Sequence, residues 1–219
     1  MKSEYGIQKG DRNQVASLLE NYHYLHTKKI SKAFKFDRAT AYILTHGGMS
    51  WGNAGCGRFG YDVVGACLFT ALPVPELVVG LFGMDKGNQV GMLELSRLVI
   101  DPVHQGNEHN LATWFLARAI KLLRNEHDVR MILSYADSDF HNGTIYAAAN
   151  FKYYGLTDEK CDFWIEHIQG QPMIKHSRGK LKSKGEWRPR SRKHRFLMIF
   201  DRSLVPKWNE EKWSSDHHD

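Results

Sequence analysis

The sequence predicts an α/β (α+β) protein in which a mixed sheet carries helices on its faces. Three observations lead there. Apolar runs of strand character dominate the first half, a strand-helix-strand-helix unit occupies the middle, and "VRMILSYA", residues 129–136, is apolar without alternation. An unbroken apolar run of that length suits a central strand covered on both sides. At 219 residues, with no internal repeat and no second boundary, residues 1–219 read as one domain with a sizeable core.

Each element has its own signal. "DRNQVASLLENYHYLH" places Val15, Leu18, Leu19 and Tyr22 at helical spacing, with Asp11 or Asn13 as the cap. "AYILTHGG" and "YDVVGACLFTAL" are strands, and Pro73 and Pro75 stop the second. Between them "SWGNAGCGRFG" is a glycine-rich connection that lacks the GK[ST] ending of a phosphate-cradling loop. "VGMLELSRLVIDP" is a strand ended by Pro102, and "NLATWFLARAIKLLRNEHD" is an amphipathic helix through Leu111, Phe115, Ala119 and Leu122. "GTIYAAANF" is a short helix after the buried strand, and Asn150 suits a left-handed cap. Aromatic-rich "FKYYGL" and "DFWIEHI" lead into a basic arm at about 170–195, "KHRFLMIFD" is a closing strand, and 207–219 are expected as a flexible tail.

Composition narrows the class. Hydrophobic residues at 42% and charged residues at 25% are those of a soluble globular protein, and no apolar stretch nears the ~20 residues that span a bilayer. "MKSEYGIQKGDRN" has no apolar signal core, so a cytosolic protein is expected. Cys56, Cys67 and Cys161 are odd in number and lack CxxC spacing, which speaks for reduced thiols and against a disulfide framework or a thiolate zinc site. The charge is concentrated: residues 175–195 hold ten Lys or Arg against Glu186, a local +9, so that the rest of a chain of net +6 stands at −3. Such a run seeks a polyanion, nucleic acid above all, or else is a solvated loop; Trp187 and Pro189 within it favour binding.

Several residues could carry chemistry. Arg97 has the parity of Leu93, Leu95 and Val99 in a regular strand, and an arginine on that apolar side needs an anion; a bulge would instead turn it to solvent. Asp137 ends the buried strand, where polar residues line ligand crevices and also make ordinary turns. Tyr146 sits early in the short helix, as a general acid or as a core residue with a wet tip. His23, Tyr24 and His26 close the first helix, followed by Lys28, Lys29, Lys32 and Lys35 interleaved with Phe34 and Phe36. Histidine can accept a proton near neutrality, and cations alternating with aromatics suit a nucleic acid groove. "DPVHQGNEHNLATW" is a strand-turn-helix step whose free amides could seat a pyrophosphate.

Together "LELSRLVIDPVHQGNEHNLATWFLARAI" and "GTIYAAANFKYYG" resemble the GNAT acetyltransferase superfamily, although the turn reads "HQGNEHN" where that superfamily has Arg/Gln-x-x-Gly-x-Gly/Ala. The joint pattern of "ELSRLVID", "LSYADSDFHNGTIYAAANFKYYG", "HYLH", "VVGACLFTALPVPELVVGLFG" and "KHRFLMIFD" is more closely similar to the Mom family of phage DNA-modification proteins. That resemblance implies a GNAT-like, mixed and mostly antiparallel central sheet, and an enzyme that uses acetyl-CoA or a related acyl-CoA to convert adenine in duplex DNA to its N6-carbamoylmethyl derivative. It further implies Arg97, Asp137, Tyr146, His23 and Tyr24 as catalytic residues, and Leu98, Ile100, Asn107 and Asn110 beside the cofactor. Lys28, Lys29 and Lys32 would meet DNA, as would Lys180, Lys182, Lys184, Arg188, Arg190, Arg192 and Lys193. The setting it implies is the cytoplasm of an infected bacterium, where modified phage DNA escapes host restriction. The competing expectations are a GNAT-like N-acetyltransferase for a small amine or protein, and a DNA-binding protein without activity. The nitrogen of the added group, a metal such as iron, and a dimeric state are left open by these residues.

Overall fold

The computed structural model describes residues 2–23, 39–47, 61–165, 174–176 and 185–215. Seven strands form the main sheet: β1 (Tyr5–Lys9), β2 (Thr40–His46), β3 (Asp62–Ala71), β4 (Met92–Ile100), β5 (Met131–Asp137), β6 (Lys152–Leu156) and β10 (Lys193–Ile199). Their spatial order is β1-β2-β3-β4-β5-β10-β6. Every neighbouring pair is antiparallel except β4–β5. The mixed, mostly antiparallel sheet implied by the sequence is present, and β5 is buried along nearly its whole length in the interior of the order.

Among the described residues five α-helices accompany it: α1 (Arg12–Tyr22), α2 (Glu76–Phe82), α3 (Pro102–Asn107), α4 (Leu111–Glu126) and α5 (Thr144–Ala148). A capping box starts α1, with the Asp11 carboxylate accepting from the amides of Asn13 and Gln14 while the Gln14 side chain accepts from the Asp11 amide. The apolar stripe of α1, Val15, Leu18 and Leu19, packs on Ala41, Ile43, Ala66, Leu68 and Val99. On the same face, α2 sets Val78 and Leu81 against Met92, Met131, Leu133 and Leu197. The opposite face belongs to α4 and α5: Leu111, Phe115, Leu116, Ala119, Leu123 and Tyr146 pack with Tyr42, Leu44, Cys67, Phe69, Ile132 and Phe196. Alternate strand residues thus feed alternate layers, which is why one chain buries two apolar faces.

A second, three-stranded antiparallel sheet is inserted between β6 and β10. It consists of β7 (Lys160–Ile165), β8 (Ile174–His176) and β9 (Gly185–Arg190) in the order β8-β7-β9. The basic arm is therefore sheet where it is described. Its base is pinned to the main sheet: Arg192 Nε donates to the Thr157 carbonyl at 2.7 Å, and the Lys193 amide donates to Thr157 Oγ1 at 2.9 Å.

Residues 207–215, expected as a flexible tail, lie along β6. The Glu211 amide donates to the Tyr153 carbonyl at 2.9 Å, Lys152 pairs with Glu210 at 2.7 Å, and Trp213 Nε1 donates to the Asn142 carbonyl at 3.1 Å. Aromatic anchors hold this segment in a stretch whose composition reads as polar. Among the described residues no helix is long and apolar enough to cross a membrane.

Candidate active site

The parallel pair β4–β5 stays in register only from Met92–Met131 to Leu95–Ser134. Beyond it, Arg97–Ile100 remains paired to β3 and Tyr135–Asp137 to β10, but not to each other. The sheet is open between these two strand ends. A bulge begins the opening: Leu68 pairs with Arg97 and Phe69 with Leu95, so Ser96 is the extra residue, and its hydroxyl donates to the Leu68 carbonyl at 3.1 Å. One extra residue reverses the parity that follows. Leu93 and Leu95 face α4 and α5, whereas Val99 faces α1. The expectation that Arg97 shares a face with Leu93 and Leu95 is thus corrected; Arg97 shares the α1/α2 face with Glu94 and Val99.

On the α4/α5 face, two cavities join. One of about 310 Å³ is lined by Leu98 of β4, by the turn His141–Gly143 and by Thr144, Ile145 and Tyr146 of α5. The second, of about 390 Å³, shares Thr144 and Ile145 and extends over Gln105, Gly106, Asn107 and Asn110 to Ala112 and Thr113 at the start of α4. Asn110 caps α4 in a left-handed conformation, φ 57°, without a side-chain cap bond, so the first-turn amides of this 16-residue helix point to whatever fills the cavity. A phosphate at this end and a slender chain reaching the opening match these donors and shapes. Ile100 lies in the core behind them.

Tyr146 closes the groove at the opening. Its ring is wedged between Phe151 and Phe196, at centroid distances of 5.9 and 5.3 Å, and is nearly buried. Gly143 makes the turn before it at φ 83°, and a Cβ there would meet the Phe196 ring at 2.3 Å, so only glycine fits. His141 stands 6.3 Å from Tyr146, ring to ring; burial lowers its pKa and the charge of Asp137 opposes that shift.

The α1/α2 face of the same opening is charged. Asp137, buried at 8% exposure, accepts from Ser191 Oγ at 3.0 Å and from the Asp139 amide at 3.3 Å, and is paired across the strands with Lys193. Burial lowers the pKa of Lys193, while Asp137 and Glu94 counter that shift and Arg190 and Arg97 add to it. Burial raises Glu94 despite Arg97 and Lys193, and burial with Glu94 pushes the Tyr135 phenol up to about 12. These shifts define one interacting group of Glu94, Arg97, Tyr135, Asp137 and Lys193 in the strip between the footprints of α1 and α2. His23 is buried at the C-terminal cap of α1. The neighbouring Tyr22 hydroxyl bonds Asp101, just past β4, which brings this helix end to the open end of the sheet.

Of the catalytic residues expected, Arg97 and Asp137 therefore occupy one face and Tyr146 the other, with the strand opening between them and His141 electrostatically linked to Asp137 and in ring contact with Tyr146. Glu94, His141 and Ser191 join the site unforeseen; the one cue was Glu94 three positions before Arg97 in "ELSRL". Tyr24, Lys28, Lys29, Lys32, Lys180, Lys182 and Lys184 lie outside the described residues. Arg188 pairs with Glu186, and Arg190 is exposed at the end of β9. Among the described residues no group of three His, Cys, Asp or Glu is placed to hold a metal. A larger cavity of about 470 Å³, between β1 and α4, shares no residue with this opening.

Solved structures with this fold are acetyltransferases of remote sequence. A GNAT family acetyltransferase from Elizabethkingia anophelis, with acetyl-CoA bound, superposes with a TM-score of 0.50 at 10% identity, over 91% of this chain and 100% of that one. The ribosomal-protein-S18-alanine N-acetyltransferase from Escherichia coli gives 0.50 at 10% identity, over 89% and 93%. These likenesses establish the GNAT-like fold. No curated protein matches the chain. The Mom protein family matches residues 4–214, nearly the whole sequence, and the chain belongs to that family.

Proposed function

We propose that this protein transfers an acyl-CoA-derived group to the N6 amine of adenine in duplex DNA, as its part in forming the N6-carbamoylmethyl base. Its setting is the cytoplasm of a phage-infected bacterium, and the modified phage DNA resists host restriction. One observation carries the reading: a phosphate-ready groove and a charged face meet at one opening in the sheet of a Mom family protein, and the basic arm is hydrogen-bonded to the carboxylate at that opening.

Acetyl-CoA or a related donor supplies an activated acyl carbon. The amides of Ala112 and Thr113, with Asn107 and Asn110 beside them, would hold its pyrophosphate, and Leu98 would guide the chain toward Tyr146. Tyr146 can give a proton to the departing thiolate from within the groove. From the other face, Asp137 can take the proton of the attacking amine, an assistance N6 requires because its lone pair is delocalised into the ring. Lys193 and Arg97 hold Asp137 in a cationic setting and stabilise developing negative charge. Attack of N6 on the acyl carbon, with the thiol of CoA leaving, yields the N6-acetyl base. The carbamoylmethyl group carries N6 on the methyl-derived carbon and an amide nitrogen on the carbonyl, so its completion requires, beyond this transfer, a nitrogen donor and a two-electron oxidant. Because N6 is inaccessible inside a stacked duplex, the target adenine must leave the helix.

Mass spectrometry of nucleosides from cells expressing the protein tests this. The wild type should yield a modified deoxyadenosine, and Asp137→Ala or Tyr146→Ala should reduce it by about a hundredfold or more. Unmodified adenine in cells rich in soluble wild-type protein would refute the proposal. Acetyl-CoA turnover on polyamines or peptides alone would instead identify an ordinary N-acetyltransferase, and DNA retention without turnover a binding protein.

A further inference from the structure

The arm sheet sorts its side chains by chemistry. Register places Phe163 opposite Trp187 and Cys161 opposite Pro189, which puts these four on one side; Trp164, Asp162 and Lys160 face Glu186, Arg188 and Arg190 on the other. On the charged side, Arg188 is engaged, pairing with Glu186 and lying 5.3 Å over the Trp164 ring. On the other side Trp187 is 62% exposed, backed by the Phe163 ring at 5.3 Å, with Cys161 exposed beside it. An indole this open on a strand, rather than on a loop, leaves most of its face to a partner.

Its position relative to the carboxylate is set by the chain. Trp187 precedes Ser191 by four residues, roughly 13 Å of extended strand, and Ser191 Oγ is the donor to Asp137. Arg192 and Lys193 follow immediately, tied to Thr157. The indole and the cations thus sit on one continuous segment, fastened through Ser191 to the carboxylate of Asp137. A base drawn out of a duplex toward Asp137 leaves in the stack a vacated place that is apolar and flat.

We infer that Trp187, supported by Phe163, stacks into the DNA beside the target adenine and holds the duplex in the base-extruded state. This rests on the DNA-modification reading and adds to it the side chain that fills the gap. Flanking cations supply phosphate affinity irrespective of sequence, while the indole supplies unstacking.

The test uses the full-length protein with duplex DNA carrying 2-aminopurine, which lacks the N6 amine, in place of the target adenine, so that binding and base extrusion are read without turnover. Wild type should raise 2-aminopurine fluorescence on binding. Trp187→Ala should abolish that rise while phosphate-driven affinity falls by no more than about tenfold, and Trp187→Phe should retain most of it. A second measurement compares substrates: with the target base opposite an abasic site, already unpaired and cheaper to extrude, Trp187→Ala should approach wild-type signal and binding. An equal rise in Trp187→Ala and wild type, no rise in wild type, or an equal deficit on the paired and unpaired target base would each overturn the inference. A rise that depends on Trp187 in a protein that never modifies adenine would uphold the stacking role and remove the modification reading.

Discussion

Glu94 shows how much one carboxyl can report. Burial holds its pKa above the ordinary value, so the folded state binds this proton more tightly than the unfolded state does. Stability from this group is therefore complete below the ordinary carboxylate range and is lost as pH rises through the raised value. Replacement by the neutral isostere removes the loss. Glu94→Gln should melt higher than wild type at pH 7, the difference shrinking as pH falls through the raised value and closing below the ordinary carboxylate range of about 4.3; a pH-independent difference in melting temperature would show that the carboxyl is effectively solvated. At this scale, the legible parts of the site were those with local meaning: Asp137 at a strand end, Tyr146 early in a helix, Asn150 with φ 67° at the cap. Arg97 was legible as a residue in need of explanation but not as to its direction, because the bulge at Ser96 is defined by β3, some thirty positions away.

Elements carry their own tests. The capping box makes Asp11→Ala a clean probe of α1: it should cost about 1 kcal/mol in chemical denaturation, and an unchanged midpoint would mean that packing alone fixes the helix start. In the arm, the charge count was plain in the sequence, whereas the division of labour was not, since it depends on the register between β7 and β9. That register sets Arg188 opposite Asp162 and Arg190 opposite Lys160, while within β9 Arg188 pairs with Glu186 and Arg190 is exposed. Substituting Ala for Arg188, Arg190 and Arg192 together should weaken DNA binding and flatten its dependence on salt, with Arg190→Ala alone lowering the slope by about 1. A salt slope that does not move would show that the arm faces away from the duplex. The tail was misread for a related reason: its polar composition hides Trp208 and Trp213, whose packing sites come from distant parts of the fold.

For the whole molecule, α1, β2 to β5, α4, α5 and β10 were readable because apolar periodicity is local, whereas β1, α2, α3, β6 and the strands of the arm, short or exposed, were not; the motifs at β4 and α5 carried the family. What no local pattern could show is that the expected catalytic residues approach from opposite faces, because this follows from β4 and β5 losing their ladder halfway along. The account depends on that geometry: donor from the α4/α5 side, acceptor from the α1/α2 side, contact only through the opening. A crystal structure of the protein with CoA measures it most directly. The pyrophosphate should lie on the Ala112 and Thr113 amides with the thiol beside Leu98 and Tyr146; CoA seated instead in the cavity between β1 and α4, or with its thiol away from the opening, would contradict the account.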